Sequence, residues 1–568
     1  MVSQKVWRRL IGLGVCVLLY VVACQPSQST PPTAAPSPQE VAAAPPATTL
    51  AVGTNLAGIS DWSTEVPFID AFKSARDWIP QCDRSDPGCD GEWSTEEYDR
   101  IDLDDHGWVK SLPGPNAREK FTQVSTLLLL VESYPPGEHV VLYEGEGEIE
   151  YDFDATKNEA ASQPGRDVID INPTGKGVLL TITATDPNNT GNYIRNIHVV
   201  PAAYEDSFAA DIFNPQFIEH IRRFKALRFM DWMDTNDSEQ GEWDQRPRVE
   251  DASYSSHGVP LEIMLELANQ LQMDPWFCMP HQATDEYVRN FAEMVKANLD
   301  PALTAYVEFS NEVWNWQFDQ AQYALEQGKK RWRQEGDAFA QWYGMRAAQV
   351  SDIWHGVFAD APERLMSVIS TQTRYEGLEE SILECPLWVA EGNAPCYQHG
   401  FEVYAITGYF NGGIDKSDHA ETVESWLNDR DDAFEKAFRQ IETGDVITEA
   451  KDKSLVGVRD SFQYHQQVAR DHGLKLVAYE GGQHLVNSKN ETLTEFLIEM
   501  NRHPRMYDMY RQLFDDWVAV EGDLFMHFSD ISKPTKWGSW GLLESAYQAS
   551  SPKYKAVLDF IDTLEPGA

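Results

Sequence analysis

Two patterns of apolar and polar positions divide this chain. From about residue 213 onward, short apolar runs alternate with stretches whose apolar residues recur three and four positions apart, as on one helix face. The runs predict strands at 226–233, 274–281, 305–311, 364–372, 403–410, 474–480 and 523–530, and the stretches 260–272, 285–299, 338–358 and 432–443 predict helices. Alternating strands and helices favour a parallel sheet with helices outside it.

A different pattern precedes this region. Residues 55–63 predict a first strand that runs into a polar loop, and from about residue 64 to 211 the apolar positions alternate with period two between Gly and Pro turns, which is typical of an antiparallel sandwich. The predicted fold class is therefore α/β, a (β/α)8 TIM barrel with an antiparallel β-sandwich inserted between its first and second strands. We expect the barrel to comprise 51–63 and 212–568 and the insertion 64–211.

The N-terminus predicts export. Three basic residues precede an apolar run at 10–23 that is too short for a stable membrane span and ends at Cys24. The small residue before Cys24 resembles the bacterial lipoprotein cleavage box, which implies a signal peptide at 1–23, a lipid on Cys24 and a Pro/Ala/Ser/Thr tether over 24–50. We expect a protein anchored to a bacterial membrane, facing the periplasm or the exterior. An ordinary signal peptide cut elsewhere is the alternative.

The net charge and the cysteines limit the kinds of partner and ligand that we expect. The 568 residues carry a net charge of −44, which would repel nucleic acid and anionic polymers but is compatible with a neutral polysaccharide or a salt-rich setting. In an oxidising compartment two short-range disulfides are plausible, Cys82 with Cys89 and Cys385 with Cys396, whereas a zinc site lacks CxxC pairs and clustered histidines. We expect no metal and no cofactor, although the acidic stretch at 99–108 leaves calcium as an alternative to a solvated loop.

Two glutamates stand at the ends of predicted barrel strands. Glu312 ends the run AYVEFSNE, the fourth strand, and Glu480 ends the run LKLVAYE, the seventh. The carboxyl ends of barrel strands meet at one face, where catalytic groups lie. Hydrolysis of a glycosidic bond with retention needs a carboxyl that protonates the leaving oxygen and a second, about 5 Å away, that attacks the anomeric carbon. The alternative is two ordinary carboxylates on the barrel rim.

Asn311-Glu312 on strand four and Glu480 on strand seven resemble the clan of retaining (β/α)8 glycoside hydrolases that includes cellulases, mannanases and β-glycosidases. The resemblance implies that Glu312 is the acid/base and Glu480 the nucleophile. It also implies that Asn311 binds the 2-hydroxyl of the sugar and that His281 binds another hydroxyl. Arg228 and Tyr409 would support the nucleophile. Trp537 or Trp540 would stack on the sugar ring. Val313 and Trp314 depart from the clan, in which proline often follows Asn-Glu.

The sequence therefore predicts an O-glycosidase that acts on an extracytoplasmic, β-linked polysaccharide or oligosaccharide. A non-catalytic glycan-binding lipoprotein and a transglycosylase with the same site are the alternatives, and the sandwich is expected either to bind carbohydrate or to shield the barrel. Glu308, which shares strand parity with Glu312, is expected to point into the barrel and pair with Arg228. No phosphate-binding loop, GxSxG elbow or HExxH pair is present in the sequence.

Overall fold

The computed structural model describes residues 50–83, 89, 91–114 and 117–564. The predicted signal peptide, tether and lipidated Cys24 lie outside these residues. The described part contains strands β1 to β18, in chain order Ala51–Asn55, Ile79–Gln81, Asp102–Leu103, Val109–Ser111, Gln123–Leu128, Gly137–Glu144, Gly147–Phe153, Ala155–Lys157, Arg166–Ile171, Val178–Thr185, Arg195–Pro201, Ala226–Arg228, Asp274–Met279, Ala305–Phe309, Leu365–Ser370, Val403–Phe410, Lys475–Gln483 and Leu524–His527.

Eight of these strands form a closed parallel barrel in the order β1-β12-β13-β14-β15-β16-β17-β18. Pairing of β1 with β18 closes it, with Ala51 opposite Leu524 and Thr54 opposite His527. Helices lie between the strands along the chain and bury apolar faces against the barrel. The predicted fold class, a (β/α)8 barrel with an inserted antiparallel β-sandwich, is confirmed.

The described helices α1 to α13 are Pro215–Ile221, Leu261–Leu271, Asp285–Asn298, Asp319–Trp332, Ala338–Val357, Leu378–Glu384, Pro386–Val389, Ala420–Trp426, Arg430–Thr443, Leu455–Asp471, Glu491–Arg502, Met506–Ala519 and Pro552–Leu564. Several begin at a side-chain cap. Thr284, for example, accepts a hydrogen bond from the backbone N–H of Tyr287 and so satisfies a free donor of the first turn of α3. In the described part of the chain, no helix is both long and apolar enough to cross a membrane.

The first barrel strand was predicted too late in the sequence. It spans Ala51–Asn55, whereas the prediction placed it at 55–63. Gly53 in this strand leaves room for β18, because a Cβ on Gly53 would lie 2.3 Å from the sulfur of Met526. The apolar residues Leu56 and Ile59, which suggested a strand, are buried in the loop that follows.

The insertion contains two antiparallel four-stranded sheets, in the orders β2-β5-β10-β7 and β11-β6-β9-β8. Its apolar core is a cluster of its own and includes Val124, Leu180 and Val199. The alternation predicted from the sequence is visible in β9, where Asp170 is exposed and its neighbours Ile169 and Ile171 are buried. The boundaries of 64 and 211 for the insertion stay predictions.

Both cysteine pairs are bonded, Cys82 to Cys89 within the insertion and Cys385 to Cys396 between barrel strands β15 and β16. Cys278 on β13 is a free, buried thiol.

Candidate active site

A cleft of about 1140 Å³ opens at the carboxyl ends of the barrel strands. It is lined by residues from the loops after β1, β12, β14, β15, β16, β17 and β18, and by Leu130 from the insertion. Both Glu312 and Glu480 line this cleft. The loops at this face of a (β/α)8 barrel are where active sites of this fold occur.

Glu480 is held by a cation and a phenol. Nη1 of Arg228 donates to one carboxylate oxygen at 2.8 Å, and the hydroxyl of Tyr409 donates to the other at 2.9 Å. Burial raises the pKa of Glu480 to about 8; Arg228 and Tyr409 oppose the rise, and Glu312 adds to it. Both carboxyls of the site are thus close enough to interact electrostatically.

A β-bulge in β17 sets the direction of the Glu480 side chain. Ala478 is paired with Ile406 and Glu480 with Thr407, so Tyr479 is an extra residue in β17. Successive residues of a regular strand point to opposite faces, whereas a bulge can re-aim a side chain. Both Tyr479 and Glu480 therefore contribute side chains to the site. Gly481 follows because a Cβ there would lie 2.3 Å from the ring of Phe525.

The guanidinium of Arg228 is fully buried and divided between two carboxylates. Its Nη2 donates to Glu308 at 2.9 Å while its Nη1 donates to Glu480. Nη1 also donates to the side chain of Asn55 and Nη2 to that of Asn311, each at 3.0 Å. Because one positive charge faces two buried acids, Arg228 cannot fully compensate Glu480.

Glu308 lies beneath the site, as its strand parity predicts. It is 1% exposed, and besides Arg228 it accepts hydrogen bonds from the indole of Trp276 at 3.1 Å and the hydroxyl of Ser370 at 2.8 Å. The thiol of Cys278 is 3.6 Å away. These donors make a charge in the barrel interior tolerable.

Glu312 is presented by an irregular turn. After β14 ends at Phe309, Ser310 and Glu312 adopt left-handed conformations with φ of 63° and 41°. Non-glycine residues seldom adopt this conformation, and where they do it often belongs to a functional site. The hydroxyl of Tyr479 donates to one oxygen of Glu312 and the amide of Asn315 to the other, both at 2.9 Å.

Asn311 is locked in one orientation. Its oxygen accepts from Arg228, and its amide donates to the side-chain oxygen of Asn236 at 3.0 Å. Gln320 from α4 donates to the same oxygen of Asn236 and to the backbone carbonyl of Asn311. A side chain restrained in this way is preorganised for a ligand.

Aromatic residues line the cleft around Glu480. The ring of Trp540 lies 5.9 Å from that of Tyr409 and 5.5 Å from that of Phe528, both edge to face. Trp537 accepts a hydrogen bond from the Trp540 indole at its carbonyl and also lines the cleft. In the loop after β1, Trp62 is 56% exposed at the cleft, so it too offers a flat face to a sugar ring.

His281 is placed differently from the other predicted site residues. It is 4% exposed, its ring packs on Tyr323 at 5.1 Å, and it is not part of the cleft lining. Burial lowers the pKa of His281 to about 4, so the ring is neutral.

Four residues of the site were missed from the sequence: Asn315 and Tyr479, which bond to Glu312, Asn55, which bonds to Arg228, and Asn236, which bonds to Asn311. The tyrosine was missed because strand alternation places it on the face opposite Glu480. The three asparagines lie in or next to loops, whose contacts carry no periodic signal. Over the part of the chain that the structure describes, no group of three or more His, Cys, Asp or Glu side chains is arranged to hold a metal.

The fold and the site together define a (β/α)8 barrel protein that has two glutamates in a cleft at the carboxyl ends of its strands. Neither a protein-family model nor a curated protein matches the chain. Its structural neighbours are glycoside hydrolases.

Among the solved structures, the chain is similar to a GH51 arabinofuranosidase from Xanthomonas axonopodis pv. citri, with 12% identity, a TM-score of 0.37, and 61% of this chain and 66% of that chain covered. The match therefore spans slightly less than two thirds of that enzyme. It is also similar to a GH5 xyloglucan-specific endo-β-1,4-glucanase from a metagenomic library, with 11% identity, a TM-score of 0.34, and coverage of 61% and 87%.

A third similar structure is a GH5-4 broad specificity endoglucanase from Clostridium acetobutylicum, with 9% identity, a TM-score of 0.34, and coverage of 61% and 89%. At such identities the likeness concerns the fold alone, and function has to be argued from the site.

Proposed function

We propose that this protein is a retaining glycoside hydrolase that acts on a β-linked polysaccharide or oligosaccharide outside the cytoplasm. The observation that carries the proposal is the pair Glu312 and Glu480 in one cleft, each carboxyl held by hydrogen-bond donors at both oxygens. Preorganised carboxyls of this kind suit a reaction in which one acid protonates and another attacks.

The reaction would proceed in two displacements. The Glu480 carboxylate forms a bond to the anomeric carbon while the glycosidic C–O bond breaks and Glu312 gives its proton to the leaving oxygen. Glu312 then takes a proton from water, whose oxygen attacks the anomeric carbon and releases Glu480. Asn311, oriented by Arg228 and Asn236, is suited to bind the 2-hydroxyl of the sugar.

Hydrolysis by the wild type and by Glu480→Gln and Glu312→Ala across polysaccharides and aryl glycosides tests the proposal. We expect both variants to lose at least a thousandfold in kcat, with azide rescuing Glu312→Ala as a glycosyl azide of retained configuration. Glu326→Gln, at an exposed position of α4, is the matched control.

If the wild type and both variants bound a glycan equally and none released a product, the protein would be a glycan-binding protein and not an enzyme. Products longer than the substrate would instead identify a transglycosylase.

We also propose that the protein is attached to the membrane through a lipid on Cys24. The support is the sequence alone: an apolar run that ends in a small residue before Cys24, followed by a tether. Labelled palmitate is expected to be incorporated into the wild type in a bacterial host and not into Cys24→Ser. Incorporation at equal levels in both would contradict the anchor.

A further inference from the structure

Four positively charged side chains, including Lys533 after β18, line the cleft although the chain as a whole carries −44. Three of them, Arg374 after β15 and Lys416 and Lys453 after β16, form what we term the cationic wall. The acidic side of the cleft comes from the loops after β12 and β14 and includes Asp231, Asp234, Asp237, Glu239 and Asp319.

The cationic wall is one cluster. Arg374 donates through Nη1 to the backbone carbonyl of Asp452, the residue before Lys453. The carbonyl of Lys453 in turn accepts from the backbone N–H groups of Asn411 and Gly412. Lys416 joins from the same loop: it and Arg374 both disfavour the protonated form of His484, so both lie near that ring.

The cationic wall lies close to Glu480. His484 lines the cleft, and its ring centre is 5.4 Å from that of Tyr409, the residue that donates to Glu480. Nη2 of Arg374 lies 3.4 Å from the carbonyl of Tyr409. A sugar bound at Glu480 would therefore place one of its substituents beside the cationic wall.

The protein's own carboxylates, as far as the structure describes them, balance Lys416 but leave Lys453 without an ion pair and Arg374 with a distant one. Lys416 pairs with Asp415 at 2.9 Å, and Arg374 reaches the Asp452 carboxylate only at 3.8 Å, where that carboxylate is 63% exposed. Lys453 is half-buried and forms no ion pair with any residue that the structure describes. A cation taken partly out of water without a partner is unfavourable unless a ligand supplies the anion.

From this arrangement we propose that the substrate is an acidic saccharide, in which a uronic acid bound next to Glu480 places its carboxylate against Arg374 and Lys453. The proposal rests on the proposed function, because Glu480 is what positions the sugar. A neutral sugar needs only neutral hydrogen-bonding groups and aromatic faces. A guanidinium, in contrast, matches a planar carboxylate with paired hydrogen bonds.

The charge distribution also limits how acidic the substrate is. The acidic side of the cleft and the net charge of the chain would repel a glycan with a charge on every residue. We therefore infer a uronate flanked by neutral sugars, which differs from the wholly neutral polysaccharide expected from the net charge alone.

Matched ligand pairs test this inference in the full chain. The first pair is 4-nitrophenyl β-D-glucuronide and 4-nitrophenyl β-D-glucoside; the second is glucuronate-bearing xylo-oligosaccharides before and after carboxyl reduction. A 6-sulfated galactoside with its parent forms a third pair, which separates a carboxylate site from a general anion site. Affinity is measured by titration calorimetry and turnover in parallel.

We expect at least one uronate form to bind about tenfold more tightly than its neutral partner, with the preference declining as salt is raised. Lys453→Gln should remove most of this preference, measured as the ratio of the two affinities within each ligand pair. Lys330→Gln, which removes an exposed lysine from α4, should change neither.

The outcomes separate the two proposals. If no uronate form binds more tightly than its neutral partner, including the case in which nothing binds, the inference is overturned, and hydrolysis of neutral substrates would leave the proposed function intact. Preference for the sulfated ligand alone would also overturn it. Selective binding of uronates without turnover would uphold the acidic site and reject the hydrolase.

Discussion

Arg228 is the residue on which the site's electrostatics depend. It lies between Glu308 below and Glu480 above, so the buried group of three carries a net negative charge whenever both acids are ionised. Adding Glu312 nearby makes a further negative charge unfavourable. Burial is the main reason for the raised pKa of Glu480, and the nearby Glu312 adds to the rise.

The pH dependence of activity should report Glu480. In the proposed reaction Glu480 must be ionised and Glu312 must carry a proton, so the acid limb of kcat/KM against pH is expected near pH 8, with a decline at higher pH as Glu312 loses its proton. Tyr409→Phe removes a hydrogen bond that favours the carboxylate, so the acid limb should move upward by about one pH unit. At neutral pH this variant should lose roughly tenfold in kcat/KM.

The measurement is kcat/KM against pH for both proteins. Tyr507→Phe is the control, since the Tyr507 hydroxyl donates to Asp559 on helix α13. An acid limb at the same pH in Tyr409→Phe and in the wild type would show that Tyr409 does not tune the ionisation of Glu480.

The position of Glu308 could be predicted from the sequence, whereas that of Tyr479 could not. Strand parity places Glu308 in the barrel with Arg228 as its partner, and the structure shows that pair at 2.9 Å. The same parity excludes Tyr479 from the site, because alternation cannot anticipate the extra residue that the bulge introduces. Tyr479 nevertheless donates to Glu312.

At the scale of elements, the loops after β1 and β18 are joined by two buried acids. Glu65 and Asp530 are 0% and 3% exposed, and their carboxyl groups lie close enough for the charge of Asp530 to raise the pKa of Glu65. Burial disfavours ionisation of both groups and the charge of Asp530 disfavours it further at Glu65, so the pair retains a proton at pH values at which free carboxyl groups are ionised. Burial raises the pKa of Glu65 well above its usual value and that of Asp530 to about 7.

This pair makes stability depend on pH. The folded state keeps a proton that the unfolded chain loses near pH 4, so the stabilising contribution is complete below that pH and is lost as pH rises through about 7. Asp530→Asn replaces the carboxyl group whose pKa is raised to about 7 with an amide that does not titrate. The loss of stability between pH 5 and pH 8 should therefore be smaller in the variant by about 1–2 kcal/mol.

Urea unfolding at the two pH values measures the difference. Asp105→Asn, at an exposed loop position, should follow the wild type. Parallel losses in Asp530→Asn and the wild type would show that the acids share no proton.

The pattern of apolar positions predicted most strands and helices of the barrel, because each strand or helix must bury an apolar face against its neighbours. Helix α3 was expected at 285–299 and spans Asp285–Asn298. The first strand was misplaced, since Leu56 and Ile59 are buried by loop packing and not by strand pairing. The cationic wall and the Glu65–Asp530 pair could not be predicted, since each joins loops that only the closed barrel brings together.

At the scale of the molecule, the sequence contains 90 acidic and 46 basic residues. The excess charge repels itself more strongly in the compact state than in the unfolded chain. Salt bridges on the surface, such as that between Arg502 and Glu544 at 2.6 Å, offset only part of this because exposed pairs contribute little.

Salt should therefore stabilise the protein. Raising NaCl from about 0.05 to 1 M shortens the Debye length from more than 10 Å to about 3 Å, and Tm is expected to rise by several degrees. Calorimetry in NaCl, with sucrose of equal osmolality as the control, measures this. A Tm that falls with salt would mean that ion pairs outweigh the repulsion.

The insertion also determines when the barrel can close. Strand β1 is followed by the whole sandwich before β12, and the side chain of Asn55 bonds to the carbonyl of His527, 472 residues further along. At usual rates of translation this separation takes roughly half a minute to a minute and a half to synthesise. During that time the edge of β1 that pairs with β18 has no partner, and such an edge can pair with other chains. Premature termination before residue 524 would therefore leave an aggregation-prone fragment, and the sandwich, whose strands are complete at Pro201, is positioned to fold first.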